Sequence, residues 1–260
     1  MVRGRQVAIA VLAAWLIGAA GARAEGPVWG SKWASGQTLP LRWGASLTVY
    51  GQRQPYSIDR LSVGIPGFDQ IPTDRLGIDN RIREFDAQLD VWLFPFLNVF
   101  ALGGKIDGRT VVDFSAIDVG FPLGNVTIAY DGEVWGGGAT LVAGTERAFA
   151  SLTGVWTRTN LSGDFDSTAD AFVVTPRFGL HDDRGSAWVG AMYQQADEKH
   201  HGTVVLPFLG GVPFSVALKQ KDDWNGMVGM STALDGHWQM QIEGGFGNRR
   251  SATATVTYRF

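Results

Sequence analysis

The last ten residues, Ser251 to Phe260, read SATATVTYRF. Side chains alternate across an extended strand, so Ala252, Ala254, Val256, Tyr258 and Phe260 share one face. Thr253, Thr255, Thr257 and Arg259 share the other. One face is apolar and ends on an aromatic ring; the other is polar and charged. That division suits lipid outside and a polar lumen inside. A soluble β-sandwich also alternates, but its large apolar face turns inward and a terminal aromatic has no special place there.

The strand resembles the closing strand of Gram-negative outer-membrane β-barrel proteins. The resemblance implies that Val256, Tyr258 and Phe260 form the barrel-assembly signal, a terminal Phe with hydrophobic residues at every second position before it. It implies three sets of partners: the barrel-assembly machinery, periplasmic chaperones, and the surrounding outer-membrane lipid and lipopolysaccharide.

The other end of the chain agrees. Arg3 and Arg5 precede an apolar run from Val7 to Ala20, and Ala22-Arg23-Ala24 is an A-x-A site before Glu25. This reads as a signal peptide over residues 1–24, cleaved on export. The run is short for a membrane anchor, and no cysteine is present to carry a lipid. A periplasmic segment over 25–40 and an outer-membrane barrel over 41–260 are then expected.

Composition narrows the function classes. The net charge of −3 becomes −6 once Arg3, Arg5 and Arg23 leave with the signal. The sequence holds no basic block for nucleic acid. The absence of cysteine excludes a disulfide framework. Ten tryptophans are what interface girdles require.

Ten strands are expected: Leu41–Gln52, Arg83–Phe94, Leu97–Ile106, a fourth within Gly132–Ala143 that can begin near Val126, Ala148–Thr159, Ala169–Leu180, Ser186–Ala196, Trp224–Leu234, His237–Phe246 and the last from Ser251. Tight turns follow the second, fourth, sixth and eighth. Long segments follow the first (53–82), third (107–131) and seventh (197–223), with a medium one after the fifth (160–168). Short periplasmic and long extracellular connections are the rule for such barrels, so both termini fall on the periplasmic side. Eight to twelve strands stay open, because 202–219 holds two β-like runs split by Leu209-Gly210-Gly211. The apolar segments 58–68 and 204–216 read as hairpins above the membrane, as a plug in the mouth, or as a surface for a hydrophobic solute.

The inward set supplies the lumen-lining candidates Arg42, Asp86, Asp90, Lys105, Arg177, Glu243 and Arg259. A barrel of about ten strands is narrow, and an unpaired buried charge is costly. Either these charges interlock as a polar plug, or opposed charges line a conduit. Gly136-Gly137-Gly138 marks open space on one wall or a bend. His200-His201, beside Asp197 and Glu198, reads as a solvated loop, because strand ligands to one metal sit two apart. No nucleophile elbow or phosphate loop appears. Outer-membrane proteases, lipid A deacylases and phospholipases have motifs this chain lacks. The expectation is a non-enzymatic protein without metal or cofactor. Porin-like passage of a small solute is the first functional reading. A sealed barrel presenting loops for adhesion, ligand binding or envelope integrity is the second.

Overall fold

The computed structural model describes residues 26–34, 39–63, 76–113, 115, 125–163, 165–206, 210–220 and 222–260. Within them run β1 (Trp43–Val63), β2 (Gly77–Phe94), β3 (Leu97–Asp113), β4 (Asn125–Gly144), β5 (Ala148–Gly163), β6 (Phe165–His181), β7 (Gly185–Leu206), β8 (Gly210–Gln220), β9 (Trp224–Ala233), β10 (Trp238–Phe246) and β11 (Arg250–Arg259). A short 3₁₀ turn at Ser31–Ala34 precedes them.

All pairings are antiparallel, and ten of these strands close a ring. Each pairs with the next from β1 to β7, then β7 pairs with β9, β9 with β10 and β10 with β11. The last strand returns to the first, from Gly44 opposite Arg259 to Arg53 opposite Arg250. Closure leaves no open edge to pair with another chain. The terminal stretch that opened the sequence analysis is therefore the closing strand, and the expected closed antiparallel barrel of ten strands is what the chain forms.

The remaining strand, β8, lies outside that ring. One side of β8 pairs with β7 over Glu198–Leu206 and the other with β1 over Tyr56–Val63. The two β-like runs that kept twelve strands open are real, but they form the top of β7 and all of β8. They pair beyond the ends of β9, β10 and β11, which are only 10, 9 and 10 residues long, against 21 for β1 and 22 for β7. The wall thus changes from ten strands to eight along its own axis.

Four hairpin turns mark one end: 95–96, 145–147, 182–184 and 234–237. We call this the turn end, and the opposite one the loop end. At two turns a carboxylate caps the backbone. Asp182 Oδ1 accepts from the N–H groups of Arg184 and Gly185, and Asp235 Oδ1 from those of His237 and Trp238. These bonds hold both carboxyls below the usual Asp range. Val28 and Trp29 bond to the carbonyls of Trp92 and Leu93, so the amino-terminal segment docks at the turn end. There Trp33 stacks on Phe94 and Phe96.

Expected strand ends at Gln52, Ile106, Thr159 and Ala196 are corrected to Val63, Asp113, Gly163 and Leu206. The medium connection at 160–168 also vanishes: β5 runs to Gly163, whose φ of 139° serves the turn, and β6 starts at Phe165. The reason lies in polarity. On the turn-end half Leu47, Val49, Phe85, Leu89, Phe172, Val189, Val228 and Ile242 are exposed on the outer wall, while Asp86, Asp90 and Glu243 are buried inside. That exposed apolar belt suits hydrocarbon, where closed barrels can span because every backbone group is paired. On the loop-end half Tyr56, Leu76, Ile78, Tyr130 and Val134 are buried inside, and Arg53, Arg81, Asp107, Arg109 and Asp131 are exposed outside. The strands continue while their polar pattern inverts, so a search for lipid-facing apolar residues stops too early.

Candidate functional site: the lumen

Six of the seven expected lining residues have the inward face or the mouth. Asp86 and Asp90 project inward from β2, Arg177 from β6, Glu243 from β10 and Arg259 from β11. Arg42 sits at the turn-end mouth, its Nε donating to the Gly26 carbonyl at 3.1 Å. Lys105 is the correction. It is directly opposite the exposed Phe85, and paired residues share a face, so it lies on the outer wall. The sequence reading placed Lys105 near a strand end at Ile106 without a partner to fix its parity; the β2 register fixes it.

Four of the inward charges are brought together in two clusters. Glu243 is gripped by Arg177, Nε to Oε2 at 2.8 Å and Nη2 to Oε1 at 3.2 Å. Trp188 Nε1 donates to Oε2 at 2.9 Å, and Arg177 Nη1 donates to Thr153 at 3.2 Å. The Glu243 side chain is 5% exposed and that of Arg177 18%. This pair reaches from β6 to β10 across β7 and β9, so it crosses the lumen. A bidentate Arg–carboxylate contact is among the stronger polar contacts available.

The second cluster is nearer the turn end. Arg259 Nη1 donates to Asp90 Oδ1 at 3.1 Å, and Asn98 Nδ2 donates to the same oxygen at 2.6 Å. Gly44 stands opposite Asp90. A Cβ there would come within 2.9 Å of the Asp90 carboxyl carbon, so glycine makes room for the buried carboxylate.

A third inward chain went unrecognised in the sequence. Tyr50 donates to Gln52 at 2.5 Å, Gln52 to Gln54 at 3.0 Å, and Arg249 Nε to Gln54 Oε1 at 3.0 Å. Arg249 is 1% exposed although it belongs to the turn 247–249. The signal was available: Arg249 has the same parity as Ser251, Thr253 and Arg259. Glu84 was equally legible, two residues before Asp86. Asp86 Oδ1, Gln54 Nε2 and Trp92 Nε1 are lumenal atoms left buried without a protein partner among the described residues, as is Asn248 Nδ2 in the turn 247–249.

The rest of the lumen is packed by short hydroxyls and by rings set over glycines. Ser46 bonds Thr257 at 2.8 Å, Thr48 bonds Thr255 at 3.0 Å, and Thr140 bonds Thr153 at 3.0 Å. These are direct cross-strand rungs. The Gly136-Gly137-Gly138 run is not an empty wall. A Cβ at Gly138 would lie 2.7 Å from the Phe100 ring. At Gly136 it would press on the β5 backbone at Thr157, 2.9 Å away. His181 and His237 bond to the carbonyls of Thr145 and Arg259 at the turn end. The side chains of His200 and His201 lie outside the described residues. Among the described residues no three His, Asp or Glu are placed to share a metal ion.

Val256 and Tyr258 point outward on β11. Tyr258 packs against Trp238 at 4.9 Å and Phe260 at 6.0 Å between ring centroids. Phe260 is tied to Trp43 by two backbone bonds of 3.0 Å.

No family model and no curated protein matches this chain. Among solved structures it is similar to the transport unit of the autotransporter AIDA-I from Escherichia coli, at 11% identity over 84% of this chain and 90% of that one, with a TM-score of 0.47. It is also similar to the translocator domain of the autotransporter NalP from Neisseria meningitidis, at 9% identity, 84% and 89% coverage and a TM-score of 0.44. The outer membrane protein OprG from Pseudomonas aeruginosa stands alike, at 9% identity, 85% and 98% coverage and a TM-score of 0.44.

Proposed function

We propose that this protein is an outer-membrane β-barrel whose lumen is closed at rest, rather than an open porin. The observation that carries the reading is the Arg177–Glu243 pair spanning the barrel interior. A continuously open conduit would leave its lining charges in water; here Arg177 is bonded to Glu243 and Arg259 to Asp90. The packed interior of the eight-stranded half, where Tyr56, Ile78 and Tyr130 are buried with Asn80 and Thr110, adds a second seal, since eight strands leave room only for side chains or one small ligand. The exposed apolar belt supports membrane placement. Residues 1–25 lie outside the described residues, so export and cleavage after Ala24 belong to the proposal. So do the periplasmic orientation of the turn end, and the role of Val256, Tyr258 and Phe260 as the assembly signal read by the barrel-assembly machinery. The proposed role is non-enzymatic, supported by the two described histidines each spending a ring nitrogen on a backbone carbonyl.

A second reading is a gated conduit for small polar solutes. The buried, unpartnered Asp86 Oδ1 and Gln54 Nε2 favour it, because such atoms cost about 1–3 kcal/mol each unless something polar meets them. Planar-bilayer conductance of the refolded mature chain separates the readings. The sealed barrel is silent both as the native protein and as the Arg177→Ala/Glu243→Ala variant. A gated conduit conducts only in the variant. Steady steps in the native protein would overturn both and restore the porin.

A further inference from the structure

Four arginines stand side by side on the outer wall. Arg250 of β11 is opposite Arg53 of β1, Arg53 is opposite Arg81 of β2, and Arg81 is opposite Arg109 of β3. All four are exposed and face away from the lumen. Neighbouring strands lie about 4.8 Å apart, so the row runs roughly 14 Å around the barrel. Like charges directly opposite one another destabilise a sheet. One carboxylate relieves them in part: Asp79 bonds Arg53 at 2.7 Å and approaches Arg81 at 3.8 Å. Arg109 and Arg250 have no ion pair among the described residues. The row ends where the next outward positions on β3 and β4, Asp107, Asp131 and Glu133, turn acidic.

The height of the row identifies its occupant. On β1 the outward face runs from Trp43 through Leu47 and Val49 to Arg53. Ten residues at about 3.3 Å each, tilted by roughly 45°, rise about 23 Å, close to the ~25 Å apolar band of such barrels. Arg53 thus leaves the hydrocarbon where headgroup phosphates begin, and because the strands tilt, the row rises about 3.4 Å per strand from Arg250 to Arg109 through the headgroup layer. Guanidinium forks match phosphate in a bidentate manner.

We propose that Arg250, Arg53, Arg81 and Arg109 form a binding site for the phosphate groups of an anionic lipid in the leaflet around the loop end. This rests on the membrane placement proposed above but not on whether the lumen conducts.

The test uses the full mature chain refolded into vesicles that contain either a diphosphorylated lipid A or the same glycolipid without phosphate. Retained lipid is counted by native mass spectrometry after extraction. The native protein is expected to keep the phosphorylated lipid, and the quadruple Arg→Gln variant to lose at least about tenfold in retention, the loss of one charge-assisted contact. Arg147→Gln/Arg184→Gln, the same type of change at the turn end, should leave retention unchanged. If the quadruple variant does not fold, Arg109→Gln/Arg250→Gln replaces it, since neither side chain is in an ion pair among the described residues. Equal retention of both lipids, or undiminished retention by the folded variant, overturns the site. Displacement by millimolar inorganic phosphate as effective as by lipid would make it a solute site and overturn the lipid assignment. Failure to insert, read by protease digestion of the turn end, would instead strike the membrane placement.

Discussion

The two halves of this barrel use the same strands in opposite senses. Near the turn end the wall has ten strands, with Leu47, Phe85 and Leu89 outside and Asp90, Arg177 and Glu243 inside. Toward the loop end it narrows to eight, with Arg53, Arg81 and Arg109 outside where the narrowing begins and Tyr56, Ile78 and Tyr130 inside beyond it. The backbone hydrogen bonding is the same in both, so it does not set the polarity. The surroundings do. In hydrocarbon the outer face must be apolar and the polar groups find partners inside. In water the hydrophobic effect drives apolar side chains to the interior. One strand, β1 or β2, passes from the first regime to the second about midway.

That contrast can be broken at four points. The largest effect is expected in the polar half. Arg177→Ala strands the Glu243 carboxylate with Trp188 as its donor, and breaking a buried pair costs about 3–5 kcal/mol. Urea unfolding should show it, and Arg177→Met/Glu243→Leu should recover most of the loss. A single variant as stable as the native protein would mean that the pair is ornamental and the lumen wet.

Next comes the apolar core of the other half. Ile78→Ala should cost about 2–5 kcal/mol through lost burial and a cavity. The lipid-facing Leu89→Ala should cost much less, because lipid fills the gap. Equal costs would erase the distinction between the halves. Third, Leu89→Arg on the belt should lose about 2–4 kcal/mol in a bilayer, whereas Arg81→Leu on the loop-end wall should fold unhindered. Refolding yields into vesicles compare the two.

The smallest effect concerns the turns. Asp182 and Asp235 have folded carboxyl pKa values lowered by backbone N–H donors. A depressed pKa contributes stability that is present above the unfolded value and is lost as pH falls through the folded one. The native protein should therefore lose part of its thermal stability on acidification through the carboxylate range. Asp182→Ala/Asp235→Ala should start lower at neutral pH and flatten that part of the profile. An unaltered acid profile would assign the loss to other groups.

Particular residues show how far the sequence could be read. Alternation gave the inward faces of Asp86, Asp90, Arg177, Glu243 and Arg259, because a period of two needs no tertiary information. The same rule contained Glu84 and Arg249, had it been carried past the expected strand ends. It misplaced Lys105, since parity near an expected strand end has no anchor until a partner strand fixes the register. The role of Gly44 was invisible, because only the β2 register puts the Asp90 carboxylate against it. The glycine run was ambiguous for the same reason: whether a ring or a void faces it depends on Phe100, some forty positions earlier.

By itself the sequence determined a closed barrel with a lipid-facing belt and a charged interior. Those properties follow from local alternation and composition. Only the tertiary structure decided that Arg177 meets Glu243, that Arg259 meets Asp90, that four arginines align, and that β8 narrows ten strands to eight. Each depends on register summed around a closed ring, where a shift of one residue at any pairing would move every partner beyond it.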